Sequence, residues 1–133
     1  AARMIDRSIR PLFPKELKKD VQVVATVLSV DGEHKPDILA AVAVSAAIAI
    51  SKVPWNGPIG TTRVGLIKKD EEEELVINPA ATEEPFMDLD LIVSSRKGRS
   101  VMIEAGAKQV PEKQVDDGIK LAKTANEDSK KIH

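Results

Sequence analysis

A chain of 133 residues has room for one domain with a real hydrophobic core, and 42% hydrophobic with 31% charged residues are ordinary proportions for a folded soluble protein. Its 20 Lys and Arg against 21 Asp and Glu leave a formal charge of −1, so no global field draws it to a polyanion and any such ligand must be met by a local patch. The absence of Cys excludes disulfides, thiolate metal sites and cysteine nucleophiles, and fits a reducing compartment.

The opening stretch, Arg3-Met4-Ile5-Asp6-Arg7-Ser8-Ile9-Arg10-Pro11-Leu12-Phe13-Pro14, predicts a short helix. Arg3, Arg7 and Arg10 fall at i, i+4 and i+7 on one face, and Ile5, Ile9 and Leu12 fall with the same spacing on the other. Pro11 ends it, since Pro disfavours the α conformation in the residue before it. Three planar, permanently charged guanidiniums on an anchored helix suit phosphate oxygens. Asp6 stands four residues before Arg10, however, so part of this charge can equally serve a surface ion pair.

After a polar connection over Lys15 to Asp20, Val21 to Val30 is apolar on both faces and reads as a central strand. Asp31-Gly32 marks a turn, with a loop through His34 to Pro36. Pro36-Asp37 opens an alanine-rich helix to about Ser51, which small residues should let lie largely buried. Val53 to Gly60 reads as an ordered Pro/Gly turn. Thr62 to Ile67 and Leu75 to Asn78 form a hairpin around an exposed acidic tip, Lys68 to Glu74. Asp88 to Ser94 and Ser100 to Glu104 form a second hairpin with a basic tip, Ser95 to Arg99. Pro111 opens a last helix carrying Val115, Ile119 and Ala122, and its polar tail from 124 to 133 should fray. The order predicts an α+β fold, helices packed on a mixed sheet, as one domain over 1–133.

Catalytic chemistry is hard to find. The two histidines, His34 and His133, lie in a loop and at the terminus, which leaves no triad, and two His without Cys cannot make a structural zinc site. Asp88 and Asp90, at i and i+2, share a strand face roughly 7 Å apart and could hold Mg²⁺ with a phosphate. The same alternation with Leu89, Leu91 and Val93 is what a half-buried strand needs, and we read the two acids as its solvent face, with no metal site and no catalytic residue. Asn56 to Arg63 has Gly and hydroxyls but leads into a strand rather than a helix, so it is a turn and not a P-loop. Arg96, Lys97 and Arg99 at the second hairpin tip are weaker candidates for touching phosphates, since exposed hairpin tips are commonly basic without such a role. Aromatics are only 2%, so base-stacking platforms are scarce. The longest apolar run, Ile38 to Ile50, is too short to cross a bilayer, and no secretory signal is visible. The Ala-Ala start without Met reads as a processed or cropped piece, with any targeting sequence lying upstream.

The opening motif resembles the signature of the polynucleotide phosphorylase family, in its first RNase PH-like domain. The resemblance runs on through Val21 to Gly32, Pro36 to Ala40, Val53 to Gly60, Arg63-Val64-Gly65, Val76 to Pro79, Asp88 to Val93 and Glu104 to Ala107, nearly the whole chain. It implies an RNase PH-like fold, here the larger C-terminal part of that domain. It also implies a phosphate-dependent 3′-to-5′ exoribonuclease that releases nucleoside diphosphates reversibly, with Mg²⁺ and inorganic phosphate used by the full enzyme and none expected in this part. The family assembles as a homotrimeric ring on single-stranded RNA, and carries a second RNase PH-like domain and further RNA-binding modules. In active domains of the family, the strand matching Leu75 to Pro79 bears catalytic carboxylates, and here it reads Leu-Val-Ile-Asn-Pro. The resemblance therefore implies a non-catalytic, RNA-holding and ring-forming role, with Arg3, Arg7 and Arg10 on the RNA path. The alternative is a non-catalytic ring subunit like those of the exosome. Ser8 and Trp55 stand where bacterial members usually have Pro and Phe, which leans the resemblance toward mitochondrial members, with a cytoplasmic location as the alternative.

Overall fold

Alternating apolar positions in the middle of the chain build the frame on which everything else sits. In the computed structural model, which describes residues 2–16, 21–29, 36–69, 72–107 and 110–130, four strands make one sheet: β1 Gly60–Lys69, β2 Glu72–Ile77, β3 Met87–Arg96 and β4 Arg99–Ala107. Their order is β2-β1-β3-β4 and every pairing is antiparallel. On one face Val64, Leu66, Leu89, Leu91 and Val93 meet Ala122, Val115 and Ile119 of helix α3, Glu112–Lys130. On the other face lie α1, Ala2–Ile9, and α2, Asp37–Ile50, which bring Met4, Ala41, Val44 and Ile48 against Ile92, Met102 and Ile59. The α+β architecture and both hairpins follow the sequence pattern.

Several details differ, each for a physical reason. Residues 21–29 form no strand and are exposed throughout, Val24 at 76% and Leu28 at 92%. A strand exists only through a neighbour's hydrogen bonds, and none of the four described strands pairs with this segment. With it goes the expected mixed sheet. Helix α2 is half buried rather than largely so: Ala41, Val44, Ser45 and Ile48 are covered, while Leu39, Ala43 and Ala47 are open on the side toward residues 21–29 and Ile50 is exposed at its end. The acidic run is not all loop, because Glu72, Glu73 and Glu74 continue β2, opposite Lys69, Lys68 and Ile67. The second hairpin turns in two residues instead of five. Lys97 and Gly98 both have positive φ, 51° and 76°, the twist that a two-residue connection requires.

The end of α3 carries more structure than its polar composition suggests. It stays helical to Lys130, and Asn126, in the polar stretch expected to loosen, is fully buried. Its Nδ2 donates to Val93 O at 3.1 Å and Ser95 Oγ at 2.8 Å, while its Oδ1 accepts from Thr62 Oγ1 at 2.5 Å. A polar side chain that satisfies three buried partners holds a helix as firmly as an apolar one. Gly60 permits this approach, since a Cβ there would lie 2.6 Å from Asn126 Cβ. The Asp31-Gly32 turn, Val30, His34, Asp70, Glu71 and residues 131–133 with His133 lie outside the described residues.

Candidate nucleic-acid interface

Helix α1 forms as its spacing predicts, and a 3₁₀ turn, Arg10–Leu12, completes it where Pro11 blocks a further α turn. Arg3, Arg7 and Arg10 are exposed; Met4, Ser8 and Ile9 are buried. The guanidinium of Arg10 lies on the Asp6 carboxylate, with Nη2 at 2.8 Å and Nε at 3.1 Å from Oδ1. Both side chains are solvated, at 77% and 51%, so this pair contributes little to stability, about 0.3–0.5 kcal/mol, but it occupies part of one fork. Among the described residues Arg3 and Arg7 have no ion pair. The stripe is thus two uncommitted guanidiniums and one shared.

What fixes the stripe in place was not legible from spacing. Ser8 Oγ donates to Met4 O at 2.9 Å and lies 2.8 Å from Ser94 Oγ, which in turn lies 2.8 Å from Thr61 Oγ1. These three hydroxyls, at most 4% exposed, tie the helix to β3 and β1. At its far end Trp55 Nε1 donates to Ile9 O at 3.1 Å, and the backbone N–H of Asn56 donates to Leu12 O at 2.9 Å. Phe13 stands against Trp55 with ring centroids 6.2 Å apart. The two positions marked as departures from the bacterial pattern, Ser8 and Trp55, therefore both make hydrogen bonds that Pro and Phe lack the groups to make.

The other candidates are placed differently. Asp90 keeps a solvated side chain, 39% exposed, but it is also paired: Arg63 Nε meets its Oδ1 at 2.8 Å and Arg63 Nη2 its Oδ2 at 2.6 Å, with the Arg63 side chain 10% exposed. Both residues belong to the sheet face that carries α1 and α2. The sequence hid this pairing because the partners are 27 positions apart and meet only through the β1–β3 register. At the end of β2, Asn78 adopts φ 50° and exchanges two bonds with Arg63, N–H to O at 2.7 Å and Oδ1 from N–H at 3.2 Å. This amide stands in the strand where active relatives are expected to carry acids. Among the described residues no three His, Cys, Asp or Glu side chains cluster, and the Asp90 carboxylate is engaged by the Arg63 guanidinium. No described helix is long and apolar enough to cross a membrane.

At the second hairpin, Lys97 and Arg99 are exposed, Arg96 is half-buried, and Arg96 stands directly opposite Arg99 in the ladder. The turn is tied to α3, with Gly98 N–H donating to Glu127 Oε1 at 3.1 Å. The structure therefore leaves both sets of sequence candidates on the surface, the helix stripe and the hairpin tip.

Comparison with known proteins bears on what these sets belong to. Residues 1–54 match the family model for domain 1 of the 3′ exoribonuclease family, and residues 57–125 match the model for its domain 2. Among similar proteins is a polyribonucleotide nucleotidyltransferase of Caldicellulosiruptor saccharolyticus, 47% identical over 132 residues, 99% of this chain and 18% of the relative. One from Caldicellulosiruptor bescii is 48% identical over the same shares, and one from a Synechococcus species is 47% identical over 90% of this chain and 16% of its own length. The chain thus spans under a fifth of the length of these curated relatives. With its strands and last helix matched from 57 to 125 and its opening helices from 1 to 54, the chain belongs to the 3′ exoribonuclease family.

Proposed function

We propose that this chain is the RNA-holding, non-catalytic part of a polynucleotide phosphorylase, within the first RNase PH-like domain of a longer protein. The whole protein would be a phosphate-dependent 3′-to-5′ exoribonuclease, using Mg²⁺ and inorganic phosphate at a site outside this segment and working as a homotrimeric ring. The observation that carries the reading is the helix α1, whose buried Met4, Ser8 and Ile9 seat it firmly while Arg3 and Arg7 face solvent without ion pairs among the described residues. A guanidinium stripe on a helix already seated binds phosphate without first ordering the backbone that carries it. The reading as non-catalytic is supported by Asn78, an amide hydrogen-bonded to Arg63 in the strand where acids would be needed. Phosphorolysis requires charge stabilisation at the leaving oxygen, which an amide committed to backbone contacts does not supply. A mitochondrial location goes with this reading through Ser8 and Trp55.

Single-stranded RNA binding across a salt series tests the first half. In an Arg3→Ala/Arg7→Ala/Arg10→Ala variant, the slope of log K against log salt should flatten by about 0.7 for each phosphate that is no longer neutralised. An unchanged slope removes α1 from the RNA path. The second half is tested by incubating the chain with RNA, phosphate and Mg²⁺, where release of nucleoside diphosphates would show that the segment is catalytic after all.

A further inference from the structure

We propose that the β3–β4 hairpin tip continues the arginine face of α1, so that one run of RNA phosphates passes from the helix on to Arg96, Lys97 and Arg99. The proposal rests on the reading that α1 meets RNA, and adds a second surface to it. Met4 packs with Ile92 and Met102, and Ser8 bonds to Ser94. Four helical residues rise about 6 Å and two strand residues about 6.6 Å, so α1 runs alongside β3 in the same direction and in step with it. The next turn, Arg10–Leu12, therefore heads for the end of β3 where Ser95 and Arg96 lead into the tip. Val101, two residues beyond Arg99, closes that step by packing in one cluster with Ile9, Leu12, Phe13 and Trp55. Because Ile5 and Ile9 lie toward α2, Arg3 and Arg7 fall on the opposite flank of the helix, over β4.

The tip also has a physical reason to want an anion. Arg96 and Arg99 are cross-strand partners, a like-charge juxtaposition that destabilises a hairpin, and among the described residues neither has an ion pair. A phosphate between them reverses the sign of that interaction. The two-residue turn and the Gly98–Glu127 hydrogen bond fix the backbone of the tip, and the Glu127 carboxylate stands as an acid beside these three cations, bonded to the turn.

The test compares the wild-type chain, the α1 triple-alanine variant and an Arg96→Gln/Lys97→Asn/Arg99→Gln variant by fluorescence anisotropy of a short single-stranded RNA over a salt series. Asn tolerates the positive φ at position 97, so the turn is kept, and an unchanged circular dichroism melt verifies it. The expected result is a 1:1 complex whose slope falls by roughly 1.4 to 2.1 in the hairpin variant, two or three phosphates at about 0.7 each, and falls further when both variants are combined. If the helix variant flattens the slope while the hairpin variant keeps the wild-type value, the tip is not on the track and only the α1 reading stands. Binding of two RNAs per chain would equally overturn a single track. A wild-type chain with no RNA affinity would sink both ideas together.

Discussion

The two hairpins of this sheet are built alike and charged oppositely. The β1–β2 end carries Glu72, Glu73 and Glu74, and beside it the first turns of α3 carry Glu112, Asp116 and Asp117, with Gln114 hydrogen-bonded to Glu73. At the β3–β4 end stand Arg96, Lys97 and Arg99. The difference teaches that a formal charge of −1 describes neither end. A nearly neutral chain can present a locally cationic face to a polyanion when most of the charge of opposite sign sits elsewhere, here with Asp6 and Glu127 as the acids that remain beside the basic residues.

Breaking the core that both ends share should have the largest effect. Leu91 is fully buried under α3, and Leu91→Ala should lower stability by about 2–5 kcal/mol, measured by chemical denaturation, with both ends losing amide protection together. Asn126→Ala should separate the ends. It leaves Val93 O, Thr62 and Ser95 short of a partner at the basic end only, for roughly 1–3 kcal/mol. Hydrogen exchange should then quicken around Ser95 and the end of α3 while the register near Glu73 stays protected; equal quickening at both ends would mean that they are not held independently. Ser8→Ala should act more narrowly, by about 1 kcal/mol on the melt, because Ser94 and Thr61 keep each other's hydroxyl bond. Its clearer sign should be weaker RNA binding, through a loosened α1. Glu73→Gln with Glu74→Gln should do least. Stability should stay within about 0.5 kcal/mol and the RNA salt slope should not move, and a steeper slope would show that the acidic end lies within electrostatic reach of the RNA.

Much of this architecture could be read from residue order. Alternation marked β1 to β4, the apolar spacing of Val115, Ile119 and Ala122 marked α3, and the arginine spacing marked the exposed face of α1. Where the reading fell short, the missing information was long-range. Asp90 looked merely solvent-facing because Arg63 is remote in sequence, and Asn126 looked like part of a frayed tail because its partners Thr62, Val93 and Ser95 come from strands far upstream. Ser8 stood out only as a departure from the family pattern, and its structural role could not be read, since a hydroxyl in a charged helix gains meaning only when Ser94 is known to lie beneath it. Residues 21–29 failed in the opposite way. Their pattern describes a surface that something should cover, and a pattern cannot say whether that cover belongs to the described sheet.

That segment has a colloidal consequence. Val21 to Ser29 contains no charge and no Pro, is rich in β-branched residues, and is exposed, with no strand paired to it among the described residues. Such a stretch is a template for edge-to-edge addition of another copy, the first step toward a cross-β deposit. The lysines and glutamates that keep the rest of the surface dispersed have no counterpart within it. Placing a lysine within these nine residues should therefore raise the concentration at which this chain stays in solution more than a shift of its isoelectric point from near 6.2 would.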